Sequence, residues 1–179
     1  MSNIRFTSFP RTQPPPAFTP AILQVFRVHE PLICTRTLAK GLTSDAVLTQ
    51  LRDDLCTLGF SVEASKLRAD KIERPVFFGE NGVPELQYEI DAFHEDWKCG
   101  LEIEAGRGGM GNALYRDLIQ ALVMVELETL ILAMANSYRF RTGGRDVISR
   151  DYDKTVAVAN ALYGHSRITM PYRLVVVGY

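Results

Sequence analysis

The chain is poor in the features that mark several protein classes. It has three cysteines in 179 residues, and Cys34, Cys56 and Cys99 are scattered, with neither a disulfide framework nor a zinc spacing. Buried thiols in a reducing compartment are the expectation. It has three histidines, and His29, His94 and His165 show no mutual spacing that suggests a zinc site or a nucleophilic triad. No apolar run reaches the roughly 20 residues that cross a bilayer. The start lacks the charged, then apolar, then small-residue order of a secretory signal, so a soluble, cytoplasmic protein is expected. The net charge is −1, which gives no global sign of nucleic-acid binding. Any such surface must be a local basic patch set against acids elsewhere.

What is present is ordinary globular composition, enough for one domain with a real core. Pro10, Pro14, Pro15, Pro16 and Pro20 make residues 1–20 an extended arm, ordered where it packs on something. A single domain is expected over residues 21–179, without internal repeats. Ala21 to Leu32 reads as a first helix. Thr43-Ser44-Asp45 offers caps for a clearer one, whose Val47, Leu48, Leu51, Leu55 and Leu58 fall at helical spacing and which Gly59 ends. Val76-Phe77-Phe78 reads as a short strand, followed by a turn-rich loop to Pro84. Asn112 can cap a helix from Ala113 to about Glu128. Leu130 to Ala135 suits a strand covered on both faces. Tyr138 to Asp151 reads as an arginine-bearing loop, Asp153 as the cap of a helix ending at Gly164, and Leu174 to Val177 as a last strand.

The richest segment runs from Leu86 to Gly106. Two strand-like runs, near residues 86–93 and 97–104, are separated by a short His94-Glu95-Asp96 linker, as in a hairpin. Gln87, Glu89, Asp91 and Phe93 share one face of the first run. Lys98, Gly100, Glu102 and Glu104 share one face of the second, while Trp97, Cys99, Leu101 and Ile103 take the other. Carboxylates side by side on strands repel each other and lose hydration, and a divalent cation relieves both costs. Facing positions on paired strands lie ~5 Å apart, so Asp91 and Glu102 can share one magnesium ion, with the Ile103 carbonyl as a further oxygen ligand. A solvated hairpin face, with Lys98 as its counter-charge, would account for the same acids.

Helix, three strands, helix and strand, with Ile90-Asp91 in one strand and Glu102-Ile103-Glu104 in the next, resembles the PD-(D/E)XK nuclease superfamily over residues 44–136. Glutamate at the last motif position, where the superfamily usually has lysine, resembles the BamHI/BglII-type restriction endonucleases. Tyr115-Arg116-Asp117-Leu118 also looks like that group. The resemblance implies an α/β restriction-endonuclease-like fold, with a mixed central sheet flanked by helices. It implies a Mg²⁺-dependent endonuclease that hydrolyses phosphodiester bonds in DNA as a homodimer, Mn²⁺ substituting for Mg²⁺. Carried over by position, Asp91 and Glu102 would hold the metal and Glu104 would orient or deprotonate the attacking water. Lys98 is a candidate substitute for the missing lysine, and Glu89 an extra acid.

Arg107, in its glycine loop, could grip a phosphate near a helix N-terminus; a plain connection is the alternative. Asn112, Arg116 and Gln120 recur every four residues and either look into the site or face solvent. Arg139, Arg141, Arg145, Arg150 and Lys154 either track a phosphate backbone or lie in a surface loop among Asp146, Asp151 and Asp153. The missing lysine and the near-neutral charge also suit a rival: a catalytically inactive nucleic-acid-binding or assembly protein that keeps the fold. A hydrolase of a different phosphoester is a third reading.

Overall fold

The structure is a computed structural model and describes residues 2–38, 41–106 and 112–179. In chain order, β1 (Arg5–Phe9) precedes α1 (Thr19–Val28), α2 (Glu30–Ile33) and α3 (Ser44–Thr57). Next come β2 (Ser61–Val62), β3 (Ile72–Phe78), β4 (Pro84–Ile90), β5 (Ala92–His94) and β6 (Cys99–Glu104). They are followed by α4 (Ala113–Val123), β7 (Thr129–Met134), β8 (Tyr138–Thr142), β9 (Arg145–Ser149), α5 (Asp151–Gly164) and β10 (Arg173–Gly178).

A six-stranded mixed sheet of order β1-β10-β7-β6-β5-β2 forms the centre. Strands β6, β7 and β10 are parallel, while β1, β5 and β2 pair antiparallel. Alternation along the parallel strands splits the core into two layers. Leu101, Ile103, Ile131, Ala133, Val175 and Val177 pack against Phe26 of α1 and Leu51 and Leu55 of α3. Leu130, Leu132, Met134, Leu174 and Val176 pack against Leu114 and Leu118 of α4 and Ala159 of α5. Each such buried aliphatic chain contributes about 1.5–3 kcal/mol. This is the α/β architecture expected from the sequence, a mixed sheet flanked by helices.

Several elements differ from the sequence reading. The proline-bearing N-terminal segment supplies edge strand β1, paired with β10. The first helix breaks at His29, where α2 starts with Pro31 in its first turn. Helix α4 stops at Val123, because Met124 turns extended, and Asn112 makes no side-chain cap bond. Helix α5 starts at Asp151 rather than after Asp153. The arginine-bearing segment after β7 is a β8–β9 hairpin, not a loop, turning at Gly143 and Gly144, both at positive φ. Two glycines at positive φ form the tight turn whose twist matches paired strands.

The largest difference lies at the acidic strands. They do not pair along their length: β4 pairs with β3 as a two-stranded arm outside the central sheet. Only β5 pairs with β6, with Ala92 opposite Leu101 and His94 opposite Cys99. The chain changes sheets at Asp91. Gly100 permits this, since a Cβ there would lie 2.3 Å from Ile90 Cδ1 and 2.8 Å from Leu127 Cδ1. The hairpin turn is Glu95 to Lys98, which starts one residue after the linker read from sequence and is one residue longer.

Candidate metal centre

The site forms where the arm leaves the sheet. Strand β6 turns Leu101 and Ile103 towards α1 and α3, so Glu102 and Glu104 point to the α4 side. Continuing the β5–β6 register by one residue puts Asp91 opposite Glu102. Regular pairing would bring the residue-90 carbonyl to the Ile103 N–H. Instead the Ile103 N–H donates to Asp91 Oδ2 at 2.8 Å. The Asp91 carbonyl accepts from the Glu63 N–H at 2.8 Å, which ties β2 to the same point.

The carboxyls are crowded, and burial together with their mutual charge holds them above the ordinary carboxylate range. Burial, then the Glu63 charge, pushes Asp91 up to about 6, against the pull of the Ile103 N–H and a hydrogen bond with Glu102. Burial and the charges of Asp91, Asp117 and Glu104 hold Glu102 well above the ordinary carboxylate range. Burial and Asp117 raise Glu104 to about 8, with Arg116 opposing. Two carboxyls can hydrogen-bond only when one keeps its proton. Asp91 with Glu102, and Glu104 with Asp117, are therefore coupled pairs.

Asp117 was read from the sequence only within the Tyr115-Arg116-Asp117-Leu118 segment, with no role in the site. It is 2 % exposed and sits with Leu114, Leu118 and Ala121 in the buried stripe of α4. Arg116 donates from Nε to Asp117 Oδ1 at 2.9 Å, and its Nη2 lies 3.4 Å from Glu104 Oε1. An acid inside the apolar stripe of an amphipathic helix was the available signal. Glu63 and Lys71 were missed as well. Buried Glu63 holds Lys71 Nζ at 2.9 Å from each oxygen, and Glu89 Oε2 lies 3.0 Å from the same ammonium. No sequence spacing connects these residues; β2 and the start of β3 bring them to the site.

A cleft of about 460 Å³ opens over this cluster, lined by Glu63, Lys66, Lys71, Glu89, Asp91, Glu102, Arg116 and Gln120 among others. Of the residues proposed from sequence, Asp91, Glu102, Glu89, Arg116 and Gln120 meet at the cleft, and Glu104 stands beside it with Asp117. Lys98 does not share their face. It sits in the turn at φ 47°, 3.7 Å from Glu95. Arg139, Arg141 and Arg145 lie on the β8–β9 hairpin. Arg107 falls outside the described residues. Among the described residues, no three His, Cys, Asp or Glu side chains gather closely enough to hold a metal ion by themselves. The donors that do gather are all oxygens, which suits a hard cation. Magnesium keeps several waters and takes only one or two protein carboxylates. The residues present therefore fit that ion in donor type and charge.

No family model and no curated protein matches the chain. Among solved structures, it is similar to restriction endonuclease BglII complexed with a DNA 16-mer, at 13% sequence identity and a TM-score of 0.53, covering 98% of this chain and 75% of that one. The likeness extends over nearly all of this chain, and its fold is restriction-endonuclease-like.

Proposed function

We propose that this protein is a Mg²⁺-dependent endonuclease that hydrolyses phosphodiester bonds in DNA. The observation that carries the reading is the opposition of Asp91 and Glu102 across the strand break, under an open polar cleft. Both carboxyls are pushed up by burial and by acidic neighbours. A cation between them would relieve that repulsion. The Ile103 N–H points at Asp91, and a strand residue presents its N–H and C=O on the same edge. The Ile103 carbonyl is thus the natural third oxygen. When bound, the ion would polarise a phosphoryl oxygen and acidify an attacking water.

The rest of the chemistry falls to the chain's own groups. Glu104, two residues further along β6, takes the proton of the attacking water once ionised. Arg116 favours that ionised form and Asp117 opposes it. Lys71 and Lys66 bring positive charge to the cleft wall, where a phosphate oxygen would approach. Glu89, bound to Lys71, helps hold that wall.

The experiment is cleavage of plasmid DNA in Mg²⁺, in chelator, and with Glu102→Gln. The reading requires cleavage only by the parent with metal. A second reading, a non-catalytic DNA-binding protein on the same fold, is favoured by one observation: Lys98, the candidate for the missing lysine, is turned away in the hairpin. DNA binding without cleavage under any divalent metal would establish it instead.

A further inference from the structure

The β8–β9 hairpin has two unlike faces. Tyr138, Phe140, Val147 and Ser149 are half-buried, and the Tyr138 and Phe140 rings stack at 5.8 Å. Arg139, Arg141, Asp146 and Ile148 are exposed on the other face. The register sets Arg139 opposite Ile148 and Arg141 opposite Asp146.

The charges on this face are free. Arg139, Arg141 and Asp146 make no ion pair or side-chain hydrogen bond with any described residue. Elsewhere Arg5, Lys66, Lys71, Arg74 and Arg116 are each paired within the fold. Charges without a partner on the exposed face of a ribbon are available to a ligand.

We propose that the β8–β9 ribbon enters the major groove of duplex DNA and reads base edges with Arg139, Arg141, Asp146 and Ile148. Each strand is five residues long, roughly 15 Å at strand rise. The major groove is ~12 Å wide and ~8.5 Å deep and admits a two-stranded ribbon. The deep, narrow groove of duplex RNA does not. At the tip, Gly143 and Gly144 add no side-chain bulk. At the root, a Cβ on Gly106 would lie 3.5 Å from the Tyr138 ring. The ribbon is thereby seated two residues beyond Glu104.

The mixture of groups argues for base reading over a simple phosphate grip. A surface that only tracks phosphates gains from arginine and loses from an acid. Asp146, in the middle of the arginines, is out of place there. In the groove, arginine takes guanine O6 and N7, a carboxylate accepts from cytosine N4, and an apolar side chain meets the thymine methyl. Arg141 facing Asp146 then selects a G·C pair or two adjacent ones, with Ile148 beside a thymine.

The proposal rests on the nuclease reading only in taking DNA as the ligand, and its test needs no cleavage. The full chain, in Ca²⁺, selects from a library of randomised duplexes. The parent enriches a site containing guanine. Arg141→Ala loses preference for one base by roughly 5- to 150-fold while binding unselected DNA within about tenfold of the parent. Arg141→Gln exchanges that guanine for adenine, and Asp146→Asn relaxes a cytosine. Melting curves matching the parent verify the fold of each variant. Binding without any enrichment overturns the ribbon as a reader and leaves the nuclease reading standing. Enrichment unchanged in all three variants, or preference for duplex RNA, also overturns the ribbon as a reader. No binding to any duplex overturns the ribbon as a reader too, and DNA cleavage in Mg²⁺ then decides whether the nuclease reading stands.

Discussion

The Ile103 N–H donates to the Asp91 carboxylate at 2.8 Å, where a neighbouring strand would ordinarily present a carbonyl. One side chain therefore caps the β5–β6 ladder and faces Glu102 across the strand break. The two duties separate by substitution. Asp91→Ala leaves the N–H without its acceptor and should cost about 1–3 kcal/mol, measured by denaturant unfolding in chelator. Asp91→Asn keeps an acceptor oxygen and should cost less. Calorimetry with Mn²⁺ should show a binding site in the parent that both variants lack; parent-like binding in Asp91→Asn would remove Asp91 from the metal centre.

The metal-free protein should lose stability as pH rises. An acid whose pKa is raised on folding binds its proton more tightly in the folded state. Stability therefore falls as pH climbs from the unfolded to the folded value. For Asp91 that window runs from 3.8 to about 6, and for Glu104 from 4.5 to about 8. Melting temperatures in chelator should drop between pH 5 and pH 8, and Glu102→Gln should flatten the slope. Saturating Mn²⁺ should flatten it too. A melting temperature that rises over this range would mean that the acids are already compensated.

Glu104 should matter for chemistry more than for binding. Glu104→Gln keeps its shape but removes its basicity, and should slow single-turnover cleavage by about 10²- to 10⁴-fold. Metal and DNA affinity should stay near the parent values. Equal rates in the two proteins would exclude it as the base.

Asp117 should set the pH at which Glu104 becomes available. Its charge and its hydrogen bond both raise Glu104. Asp117→Asn removes the charge, so the acid limb of the cleavage profile should move to lower pH. An unmoved limb, with rate lost at every pH, would assign Asp117 a purely structural part.

Gly100→Ala should disturb the strand break. Its Cβ would crowd Ile90 and Leu127, and overpacking of this kind costs about 1–3 kcal/mol. Because Ile90 adjoins Asp91, Mn²⁺ affinity should fall with it; calorimetry on the folded variant measures that loss.

The sequence by itself determined the fold class and the acids of β6. Alternation placed Glu102 and Glu104 on one face against Leu101 and Ile103 on the other, because strand periodicity is a local property of the backbone. Apolar runs located α3, α4, β7 and β10 for the same reason. What only the tertiary structure decided was which strands pair. A regular 86–93 strand beside 97–104 is as legible as the observed break, since the difference depends on Gly100 giving space to Ile90 and to Leu127, which lies outside both runs. Lys98 leaves the site because the turn takes one more residue than the linker suggested. Glu63, Lys71 and Asp117 join it because β2, β3 and α4 converge there. The Gly143-Gly144 turn and the Tyr138, Phe140, Val147 alternation did carry a hairpin signal. The arginines between them masked it, since an exposed ribbon face and a polar loop have the same composition. Periodicity is written residue by residue, whereas convergence of distant side chains exists only once the chain has closed on itself.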